Sequence, residues 1–243
     1  MEEQRADFLP ALSYHVLTAL YDPLLRWTMR ESVFKGQLIR QAQIRSGEQA
    51  LDLGCGTGTG TRTLLLKQVH PDAEVVGLDA DPRALRIAEA KAATAGLQVT
   101  FDRGMAFALP YPDEAFDRVL SSLLFHHLTH ENKERTAREV VRVLRPGGEL
   151  HVANWGKARN GMMRAAFLLV QLLDGFETTT ENVRGALPHV FAAAGFEDVR
   201  QSAQYATLFG SLALYQARKR ASQRESRSGP LQRDQQPRQA ERR

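Results

Sequence analysis

The feature that most constrains the fold is the segment LDLGCGTGTG at positions 51–60. The apolar run 50–53 predicts a buried strand, the glycines that follow predict a sharp turn, and residues 61–69 favour a helix. Glycine adopts backbone angles that other residues resist and lets the backbone approach a ligand closely. The start of the helix presents free N–H groups and a positive dipole end, which suit a carboxylate or a phosphate. This pattern is typical of the entry to a nucleotide-binding α/β unit.

Strand and helix patterns alternate after this turn. We predict strands over residues 74–78, 98–101, 115–120 and 149–154, a helix from Asp81-Pro82 to Gly96, a helix over 131–144 and a tight turn over 145–148. Such alternation indicates a mostly parallel sheet with helices on both faces. Further on, helices are predicted over 161–173 and 180–194, and strands over 198–205 and 211–216. These last two strands form a hairpin that would place an antiparallel edge on the sheet.

The ends of the chain differ in character from its middle. Residues 1–45 predict an N-terminal helical layer, and residues 46–217 the main α/β domain. Residues 218–243 form a basic tail with almost no apolar residues, which we expect to be disordered. The chain carries a net charge of +4, but residues 217–243 alone carry +6, so the body is mildly acidic. We therefore expect no nucleic-acid binding by the body, and the tail is either solvated or contacts anionic lipid or RNA.

Cysteine usage and the apolar runs bear on the compartment. The one cysteine, Cys55, excludes an intrachain disulfide and favours a reducing compartment. Residues 1–7 are polar, unlike a signal peptide, and the apolar run 165–173 is too short to span a membrane. We expect a cytoplasmic protein, with the tail as its only candidate contact with a membrane surface.

Candidate ligand residues follow the predicted strands. In an open α/β sheet, ligands bind beyond the carboxyl ends of the strands. Asp52 and Gly54 close the first strand, and Asp79, 25 residues after Gly54, closes the second. A carboxylate at that position can accept hydrogen bonds from both ribose hydroxyls. Enzymes that use NAD and enzymes that use S-adenosylmethionine (SAM) share this arrangement, so both remain open at this point.

Four segments resemble, in order and spacing, the successive motifs of the class I SAM-dependent methyltransferases. They are LDLGCGTGTGT (51–61), VVGLDADPRAL (75–85), LPYPDEAFDRVLSSLLFHHL (109–128) and LRPGGELHVANWG (144–156). The nearest group is the small bacterial branch that includes ubiquinone/menaquinone-biosynthesis and phospholipid N-methyltransferases. The resemblance covers roughly residues 45–217. It implies a Rossmann-like fold with seven strands and SAM as the cofactor.

The resemblance also implies a set of cofactor contacts. The turn would underlie the methionine part of SAM, Asp52 would orient its ammonium group, and Asp79 would bind the ribose. Ala80 would lie against the adenine. The other implied contacts are the turn residues Gly54, Cys55, Gly56 and Gly58, the adenine-edge residues Met105 and Ala106, and the sulfonium-side residues Ser122 and Leu123.

One position departs from the family pattern. Relatives usually have Gly-Asp-Ala where this chain has Gly104-Met105-Ala106, and that Asp accepts the adenine N6 hydrogens. A lost neutral hydrogen bond costs about 0.5–1.5 kcal/mol, which is up to roughly tenfold in affinity. The departure leaves open a SAM binder that is not a catalyst.

Methyl transfer is an in-line displacement, in which positioning supplies much of the rate and a base is needed only for an acceptor that loses a proton. His126 and His127 follow the fourth strand and are the candidate catalytic residues; His127 is the one expected to point inward, and a purely structural role is the alternative. His151 is expected to be structural. The candidate acceptor-pocket residues are Tyr14, Tyr21, Asn154 and Trp155, and no cluster has the spacing of a zinc site.

The acceptor itself is only broadly indicated. The segment 161–173 is apolar all round, so it is either buried or forms a lid over an apolar acceptor such as a lipid or a prenylated ring. The leading hypothesis is a SAM-dependent methyltransferase for a small apolar acceptor. The alternatives are a non-catalytic SAM-binding or partner-binding module and an NAD-dependent oxidoreductase.

Overall fold

A computed structural model describes residues 31–57, 62–156, 185–207 and 210–221 of the chain. The helices expected before residue 31, the apolar helix expected over 161–173 and the tail beyond residue 221 lie outside these ranges. The division into domains at residues 45 and 217 stays a prediction, as does a contact between the tail and lipid or RNA.

The centre of the molecule is one seven-stranded sheet in the order β3-β2-β1-β4-β5-β7-β6. Strands β1 to β5 pair in parallel, whereas β7 pairs antiparallel with both β5 and β6. This confirms the predicted α/β sheet with a C-terminal antiparallel hairpin. The strands are β1 (Gln49–Leu53), β2 (Glu74–Asp79), β3 (Thr100–Arg103), β4 (Phe116–Ser122), β5 (Leu144–Trp155), β6 (Phe196–Thr207) and β7 (Gly210–Lys219).

Helices connect the parallel strands, and two of them begin with a hydrogen-bonded cap. Asp81 accepts a hydrogen bond from the Arg83 amide at 2.8 Å, and Thr129 accepts one from the Asn132 amide at 3.3 Å. Such caps satisfy N–H groups that have no partner inside the helix. The helices are α1 (Glu31–Ala42), α2 (Arg62–Val69), α3 (Pro82–Thr94), α4 (His130–Val143) and α5 (Leu187–Ala193), with a 3₁₀ turn at Phe125–His127.

Apolar clusters cover both faces of the sheet. On one face, Phe34 and Leu38 of α1 pack with Trp155 and Leu214 from the strands. On the other, Val140 of α4 and Phe191 of α5 pack with strand residues that include Leu150, Val152 and Tyr215. Burial of these side chains on both faces holds the carboxyl ends of β1, β2 and β4 in one row.

The boundaries of β5 differ from the prediction. Residues 145–148 were expected to form a tight turn, but β5 already begins at Leu144, which pairs with Phe116, and pairing resumes between Arg118 and Glu149. Four residues of β5 therefore bulge opposite the single residue Asp117. A Cβ on Gly148 would lie 2.9 Å from the Arg145 carbonyl oxygen, so glycine is required for this bulge.

Other elements begin or end a few residues away from the prediction. Strand β3 begins at Thr100 because its register pairs Thr100 with Val76. Among the described residues of the predicted helix 180–194, the helix starts only at Leu187, after Gly185 with φ +77°. Strands β6 and β7 are longer than predicted, and β7 reaches Lys219. No helix in the described ranges is long and apolar enough to cross a bilayer.

Candidate active site at the carboxyl ends of the strands

The glycine turn is anchored to the neighbouring strand. The Gly54 and Cys55 amides both donate to the Leu78 carbonyl oxygen, at 2.8 and 3.0 Å. Gly54 has φ +71° and Gly56 has φ +58°, a region that favours glycine. A Cβ on Gly54 would also lie 3.1 Å from a methyl group of Leu124. The turn therefore depends on glycine for its backbone angles and for its closeness to the loop after β4; Gly58 lies outside the described residues.

Asp52 lies beneath this turn and is fully buried. Its carboxylate accepts a hydrogen bond of 2.5 Å from the Thr63 hydroxyl, in the first turn of α2. This bond ties the end of β1 to the start of the following helix. A role of Asp52 toward the ammonium group of a ligand stays a prediction.

Asp79, at the end of β2, faces the turn across the sheet edge. One of its carboxylate oxygens accepts from the Gly56 amide at 2.8 Å, and the other accepts from the Asp81 amide at 3.0 Å. The ammonium group of Lys91 donates to the carbonyl oxygen of Thr57, 3.1 Å away. The carboxylate is thus fixed by backbone amides, and each of its oxygens retains lone pairs for a further donor.

A cavity of about 80 Å³ opens between the turn, the end of β2 and the loops after β3 and β4. It brings together six residues predicted for the site: Gly54, Asp79, Ala80, Met105, Ala106 and His127. The other lining residues are Leu78, Gly104, Phe107, Leu124 and Leu128. Its wall is largely apolar with one carboxylate at the rim, which suits a heteroaromatic ring joined to a hydroxylated group.

Leu124 lines this cavity and was not named from the sequence, whereas its neighbours Ser122 and Leu123, which were predicted for the sulfonium side, do not line it. Leu123 has φ +55°, and its amide donates to the Ala153 carbonyl oxygen at 2.8 Å. This left-handed residue turns the chain so that Leu124 faces Gly54. The signal available in the sequence was the apolar LLF run, which does not show where the backbone reverses.

The loop that forms the far side of the cavity is fastened to α4. The Leu109 amide donates to Glu139 at 2.7 Å, while Arg142 donates to the carbonyl oxygens of Tyr111 and Leu109, at 2.7 and 3.1 Å. The hydrogen bond from Arg142 also holds the pKa of Glu139 below its usual value. We call Glu139 and Arg142 the loop brace. Sequence reasoning did not identify it.

The two histidines after β4 stack on each other with ring centroids 3.9 Å apart. His126 is 4% exposed, and its Nδ1 lies 3.1 Å from Oδ1 of Asn154. Burial lowers the pKa of His126 well below its usual value. Burial also lowers the pKa of His127, which lines the cavity, to about 4. Both rings are therefore neutral near pH 7, and His127 is a weak base there.

The predicted acceptor residues are placed differently from one another. Asn154 is fully buried beside His126, whereas Trp155 packs in the cluster on the α1 face, 6.5 Å from the His126 ring. Tyr14 and Tyr21 lie outside the described residues. The structure therefore brings Asn154, but not the Trp155 ring, to the face that carries α4.

His151 is buried in the middle of β5 and lies away from the cavity. Its Nδ1 is 3.1 Å from the Gln41 side chain, and its Nε2 is 3.2 Å from a Glu149 oxygen. The hydrogen bond with His151 and those with Arg218 lower the pKa of Glu149 to about 2. Across the part of the chain that the structure covers, no group of three His, Cys, Asp or Glu side chains could hold a metal ion.

Comparison with known proteins agrees with this geometry. A family profile described as "Methyltransferase domain" matches residues 50–148. The chain is 40% identical over 128 residues to a demethylmenaquinone methyltransferase of Thermus thermophilus, covering 53% of either protein. It is 32% identical over 171 residues to the ubiquinone/menaquinone biosynthesis C-methyltransferase UbiE of Pseudomonas paraeruginosa, covering 68% of this chain and 65% of the relative. The chain thus spans between half and two thirds of the length of these relatives.

A solved structure shares the fold at lower identity. A protein of Methanosarcina mazei described as a SAM-dependent methyltransferase superposes with a TM-score of 0.59 at 21% identity, over 76% of this chain and 98% of that one. The matched domain, the quinone-pathway relatives and the sheet order agree with one another. They identify residues 50–148 as a methyltransferase domain and show that the chain is similar to the class I SAM-dependent methyltransferases.

Proposed function

We propose that this protein transfers the methyl group of SAM to a small, largely apolar acceptor. The observation that supports the proposal most strongly is the cavity in which Gly54, Asp79, Ala80 and Met105 come together at the carboxyl ends of the strands. The family match favours SAM over NAD as the ligand of this cavity.

The residues present fit SAM in kind. Glycine is required at position 54 because a side chain there would meet Leu124, so the turn offers bare backbone to a ligand. In the proposed assignment, Asp79 binds the ribose hydroxyls, and Ala80, Met105 and Ala106 contact the adenine. The turn with Gly58 and Asp52 holds the methionine end, and Ser122 and Leu123 lie toward the sulfonium.

SAM, when bound, supplies an electrophilic methyl group on a sulfonium. The protein's contribution is to position the acceptor and exclude water, which can lower the barrier by about 7–11 kcal/mol. His127 lines the cavity, but its pKa of about 4 makes it a weak base at neutral pH. The site therefore suits an acceptor that loses its proton readily, with His127 as a neutral hydrogen-bonding partner and His126 as a residue that positions it.

The acceptor is proposed from the relatives. One relative is named a demethylmenaquinone methyltransferase, and the other a ubiquinone/menaquinone biosynthesis C-methyltransferase. We propose an aromatic, quinone-like acceptor, with methylation of a ring carbon as the leading reaction.

Calorimetric titration of the folded protein with SAM tests the cofactor assignment. We expect saturable binding with one site per chain. No binding at millimolar SAM, in protein shown to be folded by circular dichroism, would reject the proposal. Binding of SAM without methyl transfer to any quinol or phenol would support the alternative of a non-catalytic SAM-binding module.

A further inference from the structure

A buried amide group at the end of β5 has an unused donor. Asn154 is fully buried, and its Nδ2 atom has no hydrogen-bond partner among the described residues. Buried polar groups in folded proteins are nearly always paired, so an unpaired amide beside an active site calls for an explanation. The inference below rests on the proposed function and adds to it the chemistry of the acceptor.

The amide is held in place by the neighbouring histidine. His126 Nδ1 lies 3.1 Å from Asn154 Oδ1, and the lowered pKa of His126 leaves its ring neutral. With a hydrogen on Nδ1, His126 donates to the amide oxygen, and both N–H groups of the amide remain for another partner. With its amide oxygen directed at His126 Nδ1, Asn154 presents its N–H groups as donors. The 3₁₀ turn Phe125–His127 carries both this anchor and His127 at the cavity.

The Tyr215 side chain lies on the same face of the sheet as Asn154. Tyr215 of β7 pairs with Val152 of β5, and Asn154 lies two residues after Val152 in the same strand. Because paired residues share a face and residues two apart in a strand point the same way, the Asn154 and Tyr215 side chains lie on one face of the sheet. The Tyr215 hydroxyl lies 3.4 Å from the position of a Cβ built on Gly156, the residue just beyond β5. The Tyr215 ring thus reaches the same edge of the sheet as Asn154.

The Tyr215 hydroxyl is a second buried donor on this face. Tyr215 is 2% exposed, and burial raises the pKa of its hydroxyl to about 12, so it stays protonated. The neighbouring position 156 is glycine, where a side chain would meet the Ala213 Cβ at 2.7 Å and the Tyr215 hydroxyl at 3.4 Å. Two neutral, buried donor groups therefore lie on the same face of the sheet near the end of β5.

We propose that Asn154 and Tyr215 donate hydrogen bonds to an oxygen atom of the acceptor. The substrate class is then an aromatic ring that bears a hydroxyl or carbonyl oxygen, and hydrocarbon rings of the same size bind less well. A site built to donate hydrogen bonds discriminates strongly against an analogue that lacks the matching oxygen. An oxygen that accepts two hydrogen bonds is also a poorer nucleophile, which directs methylation to another atom of the ring.

The test uses 1-naphthol and naphthalene, which share one ring system and differ by one oxygen. Equilibrium dialysis measures the binding of each to the full chain saturated with S-adenosylhomocysteine, the demethylated product of SAM. We expect the wild-type protein to prefer 1-naphthol by roughly tenfold. Tyr215→Phe and Asn154→Asp should each lower that preference by roughly 3–10-fold while the dissociation constant of S-adenosylhomocysteine stays unchanged.

The matched control is Tyr205→Phe, which removes the same atom from a tyrosine packed against the cluster on the α1 face. It should keep the wild-type preference. Tyr215→Phe retains the ring and its packing, so it keeps the test decisive if Asn154→Asp fails to fold.

Equal binding of the two probes to the wild-type protein, or an unchanged preference in Tyr215→Phe, would overturn the inference; a water held by the two donors would give this result. Failure of the wild-type protein to bind S-adenosylhomocysteine would instead reject the proposed function.

Discussion

Two groups of residues at the same edge of the sheet differ in how far their polar groups are already hydrogen-bonded. Following the proposed assignment, we call Asp79, Ala80 and residues 104–107 the cofactor wall, and His126, Asn154 and Tyr215 the acceptor wall. On the cofactor wall, both Asp79 oxygens already accept backbone hydrogen bonds, and the adjoining loop is held by the loop brace. On the acceptor wall, the Asn154 amide donor finds no partner in the part of the chain that the structure describes.

In the proposed assignment, the two walls recognise their ligands in different ways. The cofactor wall is satisfied before a ligand arrives and offers a preorganised surface, which lowers the cost of binding. On the acceptor wall, the Asn154 amide donor has no partner within the described ranges, so in the proposed assignment this hydrogen bond awaits the ligand. The first arrangement suits a constant ligand, and the second suits a site whose selectivity depends on one atom of its partner.

The largest effect is expected on the cofactor wall, for Asp79→Ala. Hydrogen bonds to a charged group contribute about 1.5–3 kcal/mol, so SAM affinity should fall by about 10–150-fold. Calorimetry measures the change. The control is Asp81→Ala, which removes the α3 cap and should cost about 1 kcal/mol of stability with SAM affinity intact. Equal losses of affinity in the two variants would remove Asp79 from the ribose role.

The second prediction concerns how His127 makes the free energy of unfolding depend on pH. The pKa of His127 is about 4 in the folded protein and about 6.5 in the unfolded chain, so the unfolded state binds more protons between these values. The free energy of unfolding should therefore fall as pH decreases from 7 to 4, by about 1–3 kcal/mol from this residue. Urea unfolding at several pH values measures it.

His127→Asn should flatten that decrease. His130→Asn is the matched control because the His130 side chain is 57% exposed and forms a surface pair with Glu134. The same pH slope in both variants and the wild-type protein would contradict a buried neutral His127.

A smaller effect is expected from weakening the loop brace. Arg142→Lys removes the forked hydrogen bonds to Leu109 and Tyr111, so the cofactor wall should loosen and SAM affinity should fall by roughly 3–10-fold. Calorimetry measures the change in affinity. Arg138→Lys on the same helix, at a side chain that is 57% exposed, should bind SAM as the wild-type protein does. Unchanged affinity in Arg142→Lys would show that the wall is held without the brace.

The smallest effect should come from Met105→Asp, and it has the opposite sign. The new carboxylate can accept the adenine N6 hydrogens, so SAM should bind up to about tenfold more tightly. Met105→Leu keeps an apolar side chain and should leave the affinity unchanged. Weaker calorimetric binding by the Asp variant than by the Leu variant would place the adenine away from residue 105.

The cofactor wall was far more accessible to sequence reasoning than the acceptor wall. Strand ends in an α/β sheet are predictable, so Gly54, Asp79, Ala80 and Met105 could be named in advance and do meet at one cavity. The backbone reversal at Leu123 could not be predicted, because nothing in an LLF run indicates a φ of +55°. Tyr215 was missed because its position depends on the antiparallel register between β5 and β7, which is a long-range property.

The same contrast explains the errors in the fold. The order and type of the described strands followed from periodicity and glycine placement. The bulge at residues 145–148 did not, because the segment RPGG is typical of a turn and only its pairing partners show that the strand continues through it. The ends of a strand depend on its register with a partner strand and on how close that partner lies. Neither property can be read from the sequence of one segment alone.

The single thiol of the chain gives the glycine turn a built-in reporter. Cys55 is 3% exposed, and its sulfur lies 3.1 Å from where a Cβ on Gly77 would be. An alkylating reagent can reach this sulfur only when the turn lifts from β2, so the modification rate follows local opening, and no competing cysteine is present. A ligand that seals the turn slows the reaction in proportion to its occupancy, which makes one residue sufficient to follow binding without any added label.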